Sequence, residues 1–287
     1  MRQAYLSQML MADGHDVVTY ASEFSGLEPS PDLSAEKNLE DIFAGRIVVL
    51  PLPVLDEDGF INAPLSCEKL SAAELFSALR SGSRLVAGKV PESLQALAES
   101  LGLRICDYFE REELAVLNAI PTAEGAIAIA MEELPITLHR AKCLVLGFGR
   151  IGKLLAIKLR ALGAEVTAAA RKYSDLAWIS AYGCEPLLTA ALAEKAGNFD
   201  VIFNTVPAPV LDEKTLAALK KGAVVIDLAS KPGGVDFEAA ARLGVCAIWA
   251  LSLPGKVAPI TSGEIIKNTI YNILNGWGDG NSGDKTR

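Results

Sequence analysis

The stretch from Lys142 to Ala170 constrains this chain more than any other. A short apolar run, Lys142 to Leu146, leads at once into Gly147-Phe148-Gly149-Arg150-Ile151-Gly152. Ile151, Leu154, Leu155, Leu159 and Leu162 then recur at spacings of three and four until Gly163, and a second apolar run covers Val166 to Ala170. This order reads as strand, turn, helix, strand within about 30 residues. Each turn glycine has its own reason. Gly147 permits the tight turn, Gly149 lets the backbone approach a pyrophosphate, and Gly152 lets helix and strand pack closely. The helix N-terminus adds unpaired N–H groups and a partial positive charge. The turn is read as a dinucleotide site formed by Gly147, Phe148, Gly149, Arg150, Ile151 and Gly152. A helix packed closely on a strand, with no ligand, is the alternative.

The same alternation extends over the chain. Ahead of the turn come a helix over Arg2 to Ala12, a strand over Asp16 to Tyr20, a helix near Ala35 to Ala44 and a strand over Ile47 to Leu50. A long loop, Pro51 to Leu70, precedes a capping box at Ser71-Ala72-Ala73-Glu74. Strands are expected over Arg84 to Ala87 and Leu103 to Asp107, and a connecting helix over Pro121 to Glu133. After the turn, strands are expected over Val201 to Asn204, Ala223 to Leu228 and Val245 to Ala250. A last helix should start at a second capping box, Thr261-Ser262-Gly263-Glu264, and carry Ile266, Ile270, Ile273 and Leu274 on one face until Gly276. The fold class is α/β, with two doubly wound parallel-sheet (Rossmann-like) domains, the second binding the dinucleotide. Residues 1–119 form an N-terminal substrate or partner domain. Residues 120–276 form the dinucleotide domain with a helix that returns to the first domain or the connecting helix. Residues 277–287 read as a disordered polar tail.

Composition narrows the partners. The 287 residues carry a formal charge of −8 and no lysine- or arginine-rich run, which argues against nucleic acid. Cys67, Cys106, Cys143, Cys184 and Cys246 are odd in number and widely spaced, so they read as buried thiols in a reducing compartment. Two histidines, far apart, do not suggest a metal site. No apolar run is expected to reach the ~20 residues of a membrane span. The expected location is the cytoplasm; a homo-oligomer is left open.

The loops at the carboxyl ends of the strands refine the site. After the second strand the chain reads Ala168-Ala169-Ala170-Arg171-Lys172, with two cations where an NAD site usually places an acid. Arg171 and Lys172 suit a 2′-phosphate, so NADP is expected, with NAD as the alternative. An exposed surface pair would look the same. Thr205 and Pro207 lie in Asn204-Thr205-Val206-Pro207-Ala208-Pro209, a stiff wall for the nicotinamide. The loop Asp227 to Asp236 has a double glycine and Lys231, and the loop Leu253 to Pro259 adds Lys256.

At these residues the chain resembles the family of dipicolinate synthase A subunits. The resemblance lies in Phe109-Glu110-Arg111-Glu112-Glu113 to Pro121-Thr122-Ala123-Glu124-Gly125, the turn Leu146 to Gly152, and the loops around Asn204-Thr205, Asp227 to Phe237 and Leu253 to Gly263. It covers nearly the whole chain. It implies oxidation of dihydrodipicolinate to dipicolinate with reduction of NADP, in the mother-cell cytoplasm of a sporulating bacterium. It also implies a flavoprotein-like partner, the B subunit of dipicolinate synthase. The family has a first strand and a Gly-Gly-Asp turn just before the pair that matches Arg2-Gln3. This chain starts at that pair, so its first domain is expected to lack that strand.

A cyclic imine dicarboxylate needs cations for two carboxylates and an outlet for one proton. The implied cations are Lys231, Lys256 and Arg111, with Arg2 as a fourth. Glu124 and Asp236 are the candidate proton acceptors, beside water. Two other functions stay open. One is a hydroxy- or amino-acid dehydrogenase, which usually wants a histidine–carboxylate relay, although no histidine follows His139. The other is a non-catalytic module that binds NADP as a sensor.

Overall fold

A computed structural model describes residues 1–21, Gly26, 47–80 and 82–278 of the chain. They fall into two units, Met1–Leu117 with the segment from Pro259 onward, and Asn118–Ala258. The helix expected near Ala35 to Ala44 and the tail beyond residue 278 lie outside the described residues.

The first unit contains three strands, β1 (Ile47–Val49), β2 (Arg84–Ala87) and β3 (Arg104–Asp107), parallel and in the order β1-β2-β3 among the described residues. Side chains alternate across this sheet as a period of two requires. Val48, Leu85, Ala87 and Ile105 pack with Leu75 and Leu94 on one face. Val86 packs with Tyr108, Leu6 and Ile266 on the other. The helix Ala72–Ala78 opens with the expected capping box, Ser71 accepting from the Glu74 N–H and Glu74 accepting from the Ser71 N–H.

The second unit is a six-stranded parallel sheet of β4 (Lys142–Leu146), β5 (Glu165–Ala170), β6 (Glu185–Leu188), β7 (Val201–Asn204), β8 (Val224–Asp227) and β9 (Cys246–Trp249). Its order is β6-β5-β4-β7-β8-β9. The chain winds outward through β5 and β6, returns past β4, and winds the other way. The switch point therefore lies beyond the carboxyl ends of β4 and β7. Both faces are covered. Val145, Ala168, Phe203 and Ile226 face Leu155 and Ala126, while Leu144, Ile202 and Val225 face Leu192, Leu216 and Ala240. Buried on both sides, β4, β7 and β8 are continuous apolar runs with only their end residues polar.

Several expectations need correction. Asp16 to Tyr20 is not a strand; only Thr19 makes a single bridge. The sequence reading missed β6, a short edge strand that contains Pro186, because proline reads as a strand breaker except at an edge. The connecting helix runs from Glu112 to Glu133, with Pro121 inside it. The proline costs a helix hydrogen bond, which is offset by burial of Leu114, Ala119, Ala123 and Ala126 on either side of it. Over its most apolar 18 residues this helix has a mean hydropathy of 1.6, so it is long and apolar enough to cross a membrane by length and composition alone. Its Ala123, Ala126, Ile127 and Ala130 are buried in the core of the second unit. The last helix begins at Pro259, so Thr261 lies inside it and caps nothing; it continues past Gly276 to Gly278. As expected of a helix that returns to the first domain, it belongs to the first unit. Ile265, Ile266, Ile270 and Ile273 bury against Leu6 and Tyr108. A Cβ at Gly263 would stand 3.0 Å from the Arg2 carbonyl, so the two helices cross at close range. Of the five cysteines expected to be buried, Cys67 and Cys246 are exposed and Cys106 is half-buried; all are free thiols.

Candidate functional site

The glycine turn has the geometry its sequence calls for. Gly147 sits at φ +90°, and a Cβ there would lie 2.5 Å from Thr205 Oγ1. A Cβ at Gly152 would lie 2.1 Å from the Gly147 carbonyl oxygen, so helix and strand could not close with any larger residue. A Cβ at Gly149 meets nothing within 4 Å. That open space lies over the start of the helix Arg150–Ala161, whose first N–H groups have no side-chain cap. Backbone donors facing cleared space suit a pyrophosphate. Phe148 contributes backbone only. Its ring is buried and packs edge-on against Tyr182 at 5.7 Å. Ile151 is half-buried against the same core, and Arg150 is exposed at the turn.

Thr205 ties the turn to the neighbouring strand. Its N–H and its hydroxyl both donate to the Leu146 carbonyl, at 2.9 and 2.8 Å. Pro207 is exposed in the loop beyond it. At the end of β5, Arg171 and Lys172 are exposed, and Lys172 precedes the uncapped helix Tyr173–Ala181.

Asn204 and Asp227 form a network the sequence reading did not assign. Both are fully buried at the ends of the adjacent strands β7 and β8. Asn204 Nδ2 donates to Asp227 Oδ1 at 2.8 Å, and Asp227 also accepts the Ala229 and Gly234 N–H groups at 3.0 and 2.9 Å. Asn204 Oδ1 accepts the Val206 N–H at 3.1 Å. The double glycine permits close approach, and the side chains it accommodates are these. A Cβ at Gly234 would lie 2.3 Å from Asn204 Nδ2, and one at Gly233 would lie 3.0 Å from Asp227 Oδ2. An Asn and an Asp closing two adjacent strands, followed by Gly-Gly, was the available signal.

The other named residues are dispersed. Lys231 lies exposed in the loop after β8, and Lys256 lies exposed on the short helix Leu253–Val257, within the segment expected as a loop. Asp236 caps the helix Phe237–Leu243 by accepting the Ala239 N–H at 2.8 Å. Glu124 pairs with Lys158 at 2.7 Å, beside a 370 Å³ surface groove lined by Met131 and Leu162. Lys158 is eight residues past Arg150 on one helix, roughly 12 Å along its axis from the turn. Arg111, in the first unit, follows β3 and donates to Glu113 at 2.9 Å.

The comparisons with known proteins agree with this geometry. The D-isomer specific 2-hydroxyacid dehydrogenase NAD binding domain matches residues 122–239, which include the turn and the Asn204–Asp227 pair. The N-terminal domain of the dipicolinate synthase A subunit matches residues 1–109. The dipicolinate synthase A subunit of Bacillus subtilis (strain 168) is 30% identical over 276 residues, covering 95% of this chain and 92% of that protein. The chain belongs to the family of dipicolinate synthase A subunits. The crystal structure of the Bacillus halodurans member superposes with a TM-score of 0.85 at 30% identity, over 95% of this chain and 94% of that one. The Bacillus subtilis crystal structure gives 0.86 at 29% identity, over 98% and 94%. As a member of this family with a nicotinamide-dinucleotide domain, the chain is an NAD(P)-dependent oxidoreductase.

Proposed function

We propose that this protein oxidises dihydrodipicolinate to dipicolinate with NADP as acceptor, as the A subunit of a dipicolinate synthase. The observation that carries the reading is the 30% identity to the Bacillus subtilis protein over 95% of the chain. The substrate ring loses a hydride and a proton and becomes an aromatic pyridine, which favours the forward direction. Bound nicotinamide supplies the hydride acceptor. The chain supplies the rest. Gly149 and the uncapped N–H groups behind it hold the pyrophosphate, and Thr205 fixes the turn against β7. Glu124 and Asp236 are already engaged by Lys158 and the Ala239 N–H, so the proton is assigned to water. Lys231, Lys256 and Arg111 are the cations offered to the substrate carboxylates.

The preference for NADP rests on Arg171 and Lys172, at a position without an acid. A guanidinium can grip a 2′-phosphate through two hydrogen bonds. Arg171→Ala should reduce NADP affinity by roughly tenfold to a hundredfold and leave NAD affinity nearly unchanged. The name of the relatives supports a second subunit, for which we take a flavoprotein-like B subunit. A role in the cytoplasm of a sporulating mother cell belongs to the same proposal.

The test is turnover of dihydrodipicolinate by the purified chain, followed as reduced nicotinamide, with NADP or NAD and with or without the second subunit. Dipicolinate formation linked to NADP reduction is expected. Cofactor binding with no turnover in any combination would leave a dinucleotide-binding sensor. Equal use of NAD and NADP would overturn the cofactor assignment.

A further inference from the structure

The carboxyl edge of the first sheet is organised as carefully as that of the second. The Arg2 guanidinium donates to the Leu52 carbonyl, in the loop that follows β1. It is half-buried, and among the described residues it has no carboxylate partner. Burial also lowers its pKa from the usual arginine value. A cation taken partly out of water without a counter-charge is unfavourable unless an anion arrives. Gln3 braces the same place by donating to the Leu50 carbonyl at 3.2 Å, which also accepts from Tyr108 at 3.0 Å.

The next loop adds a second cation. Gly88, at the end of β2, is packed so tightly that a Cβ would lie 2.7 Å from Leu52 and 2.7 Å from Tyr108. Lys89 follows it in the left-handed region at φ 58°, unusual for a residue with a side chain. Asp107, the last residue of β3, enforces this conformation. Its carboxylate accepts the Lys89, Val90 and Phe109 N–H groups at 3.0, 2.6 and 2.7 Å. Asp107, the anion beside Lys89, is thus committed to backbone donors, and among the described residues the Lys89 ammonium has no partner. Strain maintained by its surroundings, at the end of a parallel strand, is typical of a ligand site.

We propose that Arg2 and Lys89 form a carboxylate clamp on the first unit that holds one carboxylate of the substrate. The proposal rests on the function above for the identity of that substrate. It adds Lys89, which sequence reasoning passed over, and makes Arg2 a primary ligand. Both are binding residues and take no part in hydride transfer.

The experiment uses the full chain and the product, pyridine-2,6-dicarboxylate, as titrant, alongside steady-state oxidation of dihydrodipicolinate. Lys89→Met and Arg2→Lys should each weaken product binding by roughly tenfold to a hundredfold. KM should rise with little change in kcat. NADP affinity and the unfolding midpoint should stay at wild-type values, and Lys89→Arg should recover most of the binding. Lys69→Met, at an exposed lysine paired with Asp58, is the control and should change nothing. Wild-type product affinity in both Lys89→Met and Arg2→Lys would overturn the clamp and leave the proposed function standing. Product binding that depends on Lys89, in a protein that never oxidises dihydrodipicolinate, would do the reverse. No dicarboxylate binding by the wild type would remove both.

Discussion

Asp107 and Asp227 end strands in different sheets, and each gathers backbone N–H groups from a neighbouring loop. Asp107 takes Lys89, Val90 and Phe109; Asp227 takes Ala229 and Gly234, with the Asn204 amide as its third donor. The device is shared and its use differs. Asp227 is fully buried and holds the Gly233-Gly234 loop tightly against the ends of β7 and β8. Asp107 is half-exposed and twists a lysine into a backbone conformation that displays its charge. The edge of the first sheet presents Lys89 beside Arg2, while that of the second joins the cleared backbone at Gly149 to exposed cations further along its loops. That division suits a substrate carboxylate on the first unit and a cofactor pyrophosphate held by backbone groups on the second.

The comparison implies that the buried carboxylate matters more to stability. Asp227→Ala strands two buried N–H groups and the Asn204 amide, and should cost about 3–5 kcal/mol. Urea unfolding would read this as a lower midpoint at unchanged slope. Cofactor affinity should fall with it. Next comes the turn itself. Gly152→Ala forces the helix off the Gly147 carbonyl and should cost about 2–3 kcal/mol. Gly149→Ala places its methyl in open space, so it should cost under about 1 kcal/mol while lowering dinucleotide affinity at least tenfold. If both variants unfold alike and bind alike, the two glycines do not have the separate roles assigned to them.

Much of the dinucleotide unit was legible because its signals are local. The strand, glycine turn and helix from Lys142 to Ala161 are written in consecutive residues, and β4 and β7 run over the residues expected. What escaped depends on distant partners. Pro121 reads as a helix start until the burial on both sides of it is known. Thr261-Ser262-Gly263-Glu264 reads as a capping box until the helix is found to begin at Pro259. The Gly233-Gly234 pair announces a close approach, but that the approaching groups are Asn204 and Asp227 shows only in the fold. Lys89 carries no sequence signal at all. Its conformation is imposed by Asp107, 18 residues away, through contacts only a folded sheet can make.

Asp107→Ala tests the other half of the comparison. Its donors lie at the surface, and water can replace the lost acceptor, so the cost should be about 1–2 kcal/mol. A loss as large as that of Asp227→Ala would mean that burial does not separate the two. Relaxation of Lys89 should also raise KM for the dicarboxylate, with cofactor affinity unchanged.

The smallest effect is the most diagnostic, because it should run against the trend of mutations. Lys89 holds a side chain in the left-handed region, which costs roughly 1–2 kcal/mol relative to an ordinary backbone. Glycine takes up that conformation freely but loses more chain entropy on folding, by about 0.5–1 kcal/mol. Lys89→Gly should therefore stabilise the protein by up to about 1 kcal/mol. It also removes the ammonium, so product binding should fall as far as in Lys89→Met. A variant that is more stable and binds less would show that the chain keeps a strained lysine for its charge, a trade common at working sites. A variant that loses stability would mean that the Lys89 backbone is not strained, and Asp107 would then be an ordinary loop anchor.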